Sequence, residues 1–573
     1  MILKRVKLLT AFRGLPAGYE IRLNPRADKA GRAFEPICFV GLNGSGKSNV
    51  LEMITEIFYY LETYHKAEKT KLSTFKTSYG FEIDYHLPKV TFDSARVPWD
   101  ELSQMWDDLN GDPIIRIIKP KNEYPIISAI FPRKEITLKN KDNNRNSALL
   151  PSRVIAYSSG MNELLSNPFI KIDFQYFDEL ESKVDDARLS TLDMNRLFYL
   201  NYDSNKYISI SNFLFDADDF DISKFEDKDS KATDFGGINL THIKKALSLD
   251  DIASFSICLK MSKKISDDID IEKINFLPAE LNLSIDKLKK CTPFIREEKR
   301  KTKSEAFWEV KLFFWINKAT KNAFRYYFKT AYELYRQLYF LQLMNNKLIS
   351  KNLRDTIGKA ESRTSEHLSE LLPKFETEKL VFYVSDIAFK KKHGDKIFYR
   401  NLSDGEHQLL QILGSLLLMD HPGALFLFDE PETHYNPDWR SKFVDMIHKS
   451  IDKAREQELL LTTHSPFIVS DCRKENVFKF VRTQQGKILP PQLPEINTFG
   501  TSVSILTERI FDKEDTISEM SKKVIDSIRK MPLRTLEDIQ KAKEASREIG
   551  ESVEKILLFR ELLLKENELK KND

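Results

Sequence analysis

Four short stretches of this chain carry residue types that could do chemistry together. The first is "GLNGSGKS", Gly41 to Ser48, with the spacing GxxxxGK[ST]. Glycines at 41, 44 and 46 let the backbone turn where other residues clash. Successive amide N–H groups can then face a phosphate beside the positive end of the following helix. Lys47 can reach β- and γ-phosphates, and the Ser48 hydroxyl can hold Mg2+. The second is the pair Asp429–Glu430, two acids that end an apolar run. The third is His464, after "LLLTT". The fourth is Ser403 with Gly405, at the entry to an apolar helix, where a hydroxyl and free amides make a second natural phosphate site. Each has a plain alternative. Two acids can begin a surface loop, and a lone histidine after a strand is more often structural. Ser403, with Glu406 three residues on, also reads as a simple helix cap. Spacing alone does not separate that cap from a phosphate site.

These residues need elements to position them. A strand, "PICFVG", precedes the glycine-rich loop, and Val50, Leu51, Ile54, Ile57 and Phe58 follow at helical spacing. Ala424 to Phe428 suit a strand buried on both faces of a parallel sheet. Its two terminal acids then lie at the rim where open α/β sheets bind ligands. Leu459 to Leu461 form a second such strand, expected beside the first, with Thr462, Thr463 and His464 at its end. "ILKRVKL" and "GYEIRLNP" read as a hairpin, and "YGFEIDYHL", "PIIRIIKP" and "YPIISAIFP" as further strands. "SRVIAYSSGMNE" reads as a strand ending in a polar turn. Residues 164–376 are mainly helical in pattern. Within them Asp216 to Gly237 form an acidic, turn-rich loop or linker. Arg296 to Lys303, "REEKRKTK", are either a solvated face or a contact to phosphate backbones. Ala323 to Ile349 read as one aromatic-rich helix that packs on other helices or stacks on bases. Two strands around His393, Gly394 and Asp395 follow, and the tail offers an apolar stripe of Ile556, Phe559, Leu562 and Leu563.

Composition bounds the answer. A chain of 573 residues has room for several domains, and 31% charged with 41% hydrophobic residues is a soluble globular balance. A net charge of +3 neither demands nor excludes nucleic acid. Cys38, Cys258, Cys291 and Cys472 are scattered, which argues against a disulfide framework or a cysteine-based zinc site and fits a reducing cytoplasm. The opening "MILKRVKLLTAFRG" is broken by Lys4, Arg5 and Lys7, unlike a signal peptide. No apolar run approaches the length of roughly 18 residues that suggests a membrane span. Fixed-period repeats and sustained heptads are absent from the sequence.

With these pieces in this order, the chain resembles an ATP-binding-cassette ATPase of the SMC/RecF/OLD class. "GLNGSGKS" resembles the Walker A loop, "LSDGE" the ABC signature, "LFLFDEPE" the Walker B strand with its catalytic glutamate, and "TTHSP" the switch histidine. More narrowly, "YRNLSDGEHQLLQ", "DEPETHYNPDW" and "INTFGTSVSILTERIF" look like the ATPase subunit of Septu-type or retron-associated antiphage systems. Such subunits act beside an HNH nuclease encoded by a second gene.

The resemblance implies an α/β fold: a P-loop NTPase with an ABC/SMC-head-like ATPase split by a long, mainly helical insertion. The expected layout is an N-terminal lobe over 1–163, the insertion over 164–376, a C-terminal lobe over 377–511 and a helical tail over 512–573. ATP and Mg2+ are the implied cofactors. Asn43, Gly44, Ser45, Gly46, Lys47, Ser48 and Asn49 would hold the nucleotide, with Ser48 and Asp429 on the metal. Glu430 would activate the attacking water and His464 sense the γ-phosphate. Ser403 and Gly405 would cap ATP bound to a second protomer, which implies a head-to-tail dimer. Arg13, in "AFRG", resembles an early arginine that approaches the nucleotide in SMC-like heads. Three departures stand out: Asp404 where many ABC proteins have glycine, "THYNPDW" without the usual Leu-Asp of the D-loop, and no assignable Q-loop glutamine. The acidic signature of a Toprim nuclease is not evident in the tail, so no nuclease activity is expected of this chain. The implied function is a cytoplasmic ATPase effector of prokaryotic antiphage defence that controls an HNH-type partner through its nucleotide state. DNA or a retron nucleic acid is a further candidate partner. The alternatives are a RecF/SMC-like repair ATPase that binds DNA itself, and a nucleotide-gated scaffold with little turnover.

Overall fold

The apolar runs at Ile37–Gly41, Leu425–Asp429 and Glu458–Thr462 are strands buried along their whole length. The structure, a computed structural model, describes residues 1–23, 35–67, 73–93, 100–109, 111–138, 143–160, 163–182, 194–219, 237–261, 279–301, 306–360, 367–451, 456–513 and 517–572. The three strands lie at the centre of a six-stranded sheet whose order is Val477–Phe480, Ile37–Gly41, Glu458–Thr462, Leu425–Asp429, Val154–Ser158, Leu197–Tyr199. Every pairing in it is parallel. Alternate residues enter opposite cores. Val40, Phe426, Phe428 and Leu461 point to one side, and Phe39, Leu425, Leu427 and Leu460 to the other. A strand covered on both faces needs no polar face, so its sequence runs unbroken in apolar residues. In register, Asp429 opposes Thr462 on one side and Ser158 on the other. The acids and the threonines therefore end at the same sheet rim.

One face is covered by the helix Lys47–Lys66 and a six-stranded antiparallel sheet that includes the hairpin Ile2–Leu8 with Glu20–Arg22 and the strands Phe81–His86, Ile114–Lys119 and Ile126–Phe131. The other face carries the helix Asp404–Leu418, packed along the helix Tyr202–Leu214. Two amides fix that contact: Asn205 Nδ2 donates to the His407 carbonyl at 2.9 Å, and Asn212 Nδ2 to the Gly414 carbonyl at 3.0 Å.

The span 164–376 holds the expected helices but also strands that the helical pattern concealed. Leu249–Met261, Phe294–Lys301 and Ala306–Trp315 join Phe382–Lys391 and Lys396–Phe398 in a five-stranded antiparallel sheet. The overlooked signal is the period of two in Phe255, Ile257 and Leu259, all buried in one core. Residues 296–301 of the basic run lie on the edge strand of that sheet, and its residues 302–303 fall outside the described residues, as do 220–236 of the acidic run. The aromatic stretch is two helices, not one: Lys318–Phe328 ends at Lys329 (φ 64°), and Thr330 caps Ala331–Leu343 by accepting from Glu333 N at 3.1 Å. Phe324, Phe328, Tyr335 and Phe340 are buried there, so packing is their use. In the tail, helices Glu519–Arg529, Leu536–Ala545 and Val553–Asn572 enclose a core of their own around Ile525, Ile528, Ile539, Leu558 and Leu562. The buried register runs through Leu558 and Leu562, while Ile556 and Leu563 of the expected stripe face solvent. All four cysteines are free and buried. Among the described residues no helix is long and apolar enough to cross a membrane.

Candidate nucleotide site

The glycine-rich loop follows its strand directly and closes on tight neighbours. Gly41 (φ 143°) leaves no room for a Cβ, which would stand 2.5 Å from the Phe480 carbonyl oxygen. Gly46 (φ 99°) caps the helix Lys47–Lys66 in a conformation that side chains disfavour. Lys47 is buried, and its Nζ donates to the Gly41 and Leu42 carbonyls, each at 3.1 Å. Burial lowers its pKa, against the pull of Glu430 and Asp429. Asn43 and Gly44 are exposed at the crest of the loop, and Ser45 is tucked beneath it.

Asn49 Nδ2 donates to the Arg13 carbonyl, which ties the helix start to the N-terminal hairpin. The Arg13 guanidinium itself is buried and pairs with Glu52 at 2.5 Å. A buried arginine needs such a carboxylate. In this structure Arg13 braces the loop helix through Glu52, beside the start of the helix that follows the phosphate loop.

The acid strand completes the site. Asp429 Oδ1 accepts from Ser48 Oγ at 2.9 Å and from Thr462 Oγ1 at 2.6 Å. Burial raises the Asp429 pKa, and these two bonds pull it back down. The two oxygens, one hydroxyl and one carboxylate, are hard donors of the kind Mg2+ takes alongside phosphate and water. Glu430 has φ 49°, a left-handed conformation that costs a non-glycine residue on the order of 1–2 kcal/mol. Its N–H is held by Thr462 Oγ1 at 3.0 Å. His464 Nε2 stands 3.3 Å from Glu430 Oε1, a close approach without the alignment of a hydrogen bond. His464 is the main cause that holds the Glu430 carboxyl below its usual range, with Lys47 adding to it.

The signature residues sit elsewhere on the same rim. Ser403 caps the helix Asp404–Leu418 in a full capping box: Glu406 N reaches Ser403 Oγ at 3.3 Å, and Ser403 N reaches Glu406 Oε2 at 2.7 Å. Gly405 lies against the acid turn, where a Cβ would meet the His434 carbonyl oxygen at 2.7 Å. Gln408 tightens the same contact, accepting from His434 N at 3.1 Å and donating to Tyr157 OH at 3.1 Å. The unusual "THYNPDW" has a local reason: Asn436 caps the helix Pro437–Ser450, accepting from Trp439 N at 2.8 Å, and Asp438 pairs with Lys442 at 2.6 Å. The polar turn after Val154–Ser158 also reaches the acids, since Ser159 N donates to the Asp429 carbonyl at 3.1 Å. Met161 and Asn162 of that turn lie outside the described residues.

Sequence reasoning missed two participants. Glu432 is buried three residues after Asp429 and accepts from Thr463 Oγ1. Phe511 brings its ring 6.4 Å from that of His464. Leu42, His464, Pro466, Thr507, Phe511 and Lys513 border an open groove of about 490 Å3 beside the loop. Two buried acids in one turn, "DEPE", were a readable signal for Glu432, whereas Phe511 is placed by long-range packing.

Comparison with known proteins gives partial matches. The family described as "AAA domain, putative AbiEii toxin, Type IV TA system" matches residues 292–470. Protein ea59 of Escherichia phage lambda is 31% identical over 137 residues, 24% of this chain and 26% of that protein. The Septu protein PtuA of Bacillus thuringiensis is 24% identical over 151 residues, 24% of this chain and 37% of that protein. These matches thus span well under two thirds of either relative's length. Among solved structures, the SMC head domain of Thermotoga maritima aligns with 87% of this chain and 100% of its own at 10% identity and a TM-score of 0.30. The Smc head domain of Pyrococcus yayanosii aligns with 86% of this chain and 97% of its own at 13% identity and a TM-score of 0.31. By its parallel sheet, its phosphate loop, the order of its acid, signature and histidine elements and its partial sequence matches, the chain resembles the SMC/RecF/OLD-like ABC ATPases and, among them, PtuA.

Proposed function

We propose that this chain binds ATP with Mg2+ and hydrolyses it to ADP and phosphate. One observation carries the reading: Ser48 of the loop, Asp429 and Glu430 of the acid strand, and Thr462 of the histidine strand are hydrogen-bonded into one unit at the sheet rim. The loop amides and Lys47 bind the phosphates, with Lys47 released from its two carbonyl partners. Ser48 and Asp429 would hold Mg2+, which when bound offsets phosphate charge. Glu430, kept ionised by His464 and Lys47, orients a water and accepts its proton. His464, at 3.3 Å from Glu430, ties that carboxylate to the γ-phosphate compartment.

The resemblance to PtuA extends the reading to an effector in antiphage defence. Two copies would pair head to tail, with Ser403 and Gly405 of each capping the nucleotide of the other, and the nucleotide state would control a separate HNH-type nuclease. Copurification with such a neighbour checks that part, and a nuclease equally active with and without this chain would sink it. For hydrolysis, phosphate release by the purified chain is measured with Mg2+ and with EDTA. Glu430→Gln is expected to cut turnover by ~10²-fold or more while sparing ATP binding. Wild type and variant releasing phosphate equally slowly would refute the enzymatic reading.

A further inference from the structure

Three consecutive residues at the end of the strand Glu458–Thr462, Thr462 to His464, are fastened to the acid turn, each by a different contact. Thr462 holds Asp429 and the Glu430 N–H. His464 faces Glu430. Between them, Thr463 Oγ1 donates to Glu432 Oε1 and accepts from Ser465 N at 2.9 Å, so both capacities of its hydroxyl are used. Thr463 is fully buried and Glu432 is 4% exposed. Glu432 Oε2 has no partner among the described residues, so this costly buried acid has Thr463 as its one side-chain partner there.

We propose that Glu432 is a positioning residue for nucleotide hydrolysis: it fixes Thr463, and through that peptide holds the His464 imidazole against Glu430. The proposal rests on the hydrolytic reading above. Glu432 touches no reacting atom and acts only through its neighbour. Burial raises its pKa to about 7, so near neutral pH it is protonated about half the time, and in either form its carboxyl oxygen receives the threonine proton. An amide oxygen can take the same place. The competing view is that Glu432 only satisfies Thr463 inside the core; the variants would then change stability without a selective loss in kcat.

The test uses the full-length chain and follows kcat, KM for ATP and the thermal midpoint of Glu432→Gln, Glu432→Ala, Thr463→Val and the Glu432→Ala/Thr463→Val pair. Glu432→Gln is expected to turn over within about twofold of wild type, because its amide oxygen keeps the acceptor for the Thr463 hydroxyl. Glu432→Ala and Thr463→Val should each lose kcat by roughly tenfold with KM moved less than about twofold, which marks loss of a transition-state interaction rather than of binding. The double variant should be no slower than either single one, since both remove the same link. Turnover within twofold for Glu432→Ala overturns the proposal, as does a multiplied loss in the double variant or a Glu432→Gln as slow as the alanine. If Glu432→Ala fails to fold, Thr463→Val with unchanged kcat overturns it equally. A wild type without turnover sinks the hydrolytic reading and this inference together, whereas an active wild type insensitive at 432 and 463 sinks this inference alone.

Discussion

Thr462→Val removes one hydroxyl from the centre of the site with almost no change in shape. In the structure that hydroxyl donates to Asp429 Oδ1 at 2.6 Å and accepts the Glu430 N–H at 3.0 Å, and the residue is fully buried. A hydrogen bond to a charged group contributes roughly 1.5–3 kcal/mol, and a buried N–H left without its partner costs about 1–3 kcal/mol. The two losses share one atom and are not additive, so the net effect is roughly 3 kcal/mol on the local structure. Glu430 is where it should appear first. Its backbone is held at φ 49°, and loss of the N–H anchor lets it relax out of that conformation. Global denaturation is a poor readout for a chain with several cores. Hydrogen exchange over residues 425–433 reports the local opening instead. An effect of roughly 3 kcal/mol accelerates exchange there about a hundredfold. Turnover should fall alongside, because Glu430 no longer has a fixed direction. Thr462→Ser is the control, since it keeps the hydroxyl and loses only a methyl group, about 1 kcal/mol. Equal protection and equal turnover in the valine and serine variants would refute the claim that this hydroxyl organises the acid turn. A second consequence follows from charge: Thr462 lowers the Asp429 pKa, so its removal shifts that carboxyl further upward and would weaken the proposed Mg2+ binding first on the acid side.

Other outcomes follow from the same physical reasoning. Asp173 is half-buried, accepts from Tyr339 OH at 2.5 Å and is raised to about 7 by desolvation. Its folded pKa lies above the unfolded value near 3.9, so the folded state binds its proton more tightly, and its contribution to stability falls as pH rises from about 4 to about 7. Asp173→Asn should therefore gain on wild type by roughly 2 kcal/mol between pH 5 and pH 8, read as thermal midpoints; a constant difference across that range contradicts the desolvated acid. Gly405→Ala places a Cβ 2.7 Å from the His434 carbonyl oxygen, and overpacking of this kind costs roughly 1–3 kcal/mol. A lowered thermal midpoint together with reduced turnover is expected, and an unaffected variant would show that the helix shifts freely off the acid turn. Leu558→Ala with Leu562→Ala should open the helices after residue 517, at about 2–5 kcal/mol each, leaving phosphate release intact. Limited proteolysis near Glu519 reads the opening, and a parallel loss of turnover would contradict the separateness of that core.

Much of the site could be read before the fold was seen, because its chemistry is written in local patterns. Glycines at 41, 44 and 46 with Lys47 and Ser48 need only a strand before and a helix after, and both are adjacent in sequence. The Asp429 and His464 strands announced themselves as unbroken apolar runs, and their pairing followed from both being buried on two faces. What escaped was non-local. Leu249–Met261 reads ambiguously because Asp250, Asp251, Ile252 and Ala253 break the alternation at its start, and its strand character comes from partners more than forty residues away at Trp308–Trp315 and beyond at Phe382–Lys391. Lys329 looks like any helical lysine, yet its left-handed turn lets Phe328 and Tyr335 enter one core from two helices. Arg13 was legible as a cation near the loop but not as a buried one, since Glu52 is drawn to it only by the packing of the hairpin on the loop helix.

The two readings of Ser403 meet in one geometry. Its hydroxyl caps the helix through Glu406, so the structure contains the plain alternative in full. Yet that cap is not isolated. Gly405 is pressed onto the His434 carbonyl, and Gln408 grips His434 N and Tyr157 OH one turn later. Asn205 and Asn212 hold the same helix from behind. The helix start, the turn after Glu430 and the strand bearing Tyr157 thus form one hydrogen-bonded block, and packed interiors transmit displacement rather than absorb it. A shift of His434 toward the helix must move Gly405, and with it the adjoining Ser403, because there is no space even for a Cβ between Gly405 and the His434 carbonyl. The capping box therefore keeps the helix N-terminus ordered, and the glycine contact makes its position answer to the acids that would act on the nucleotide.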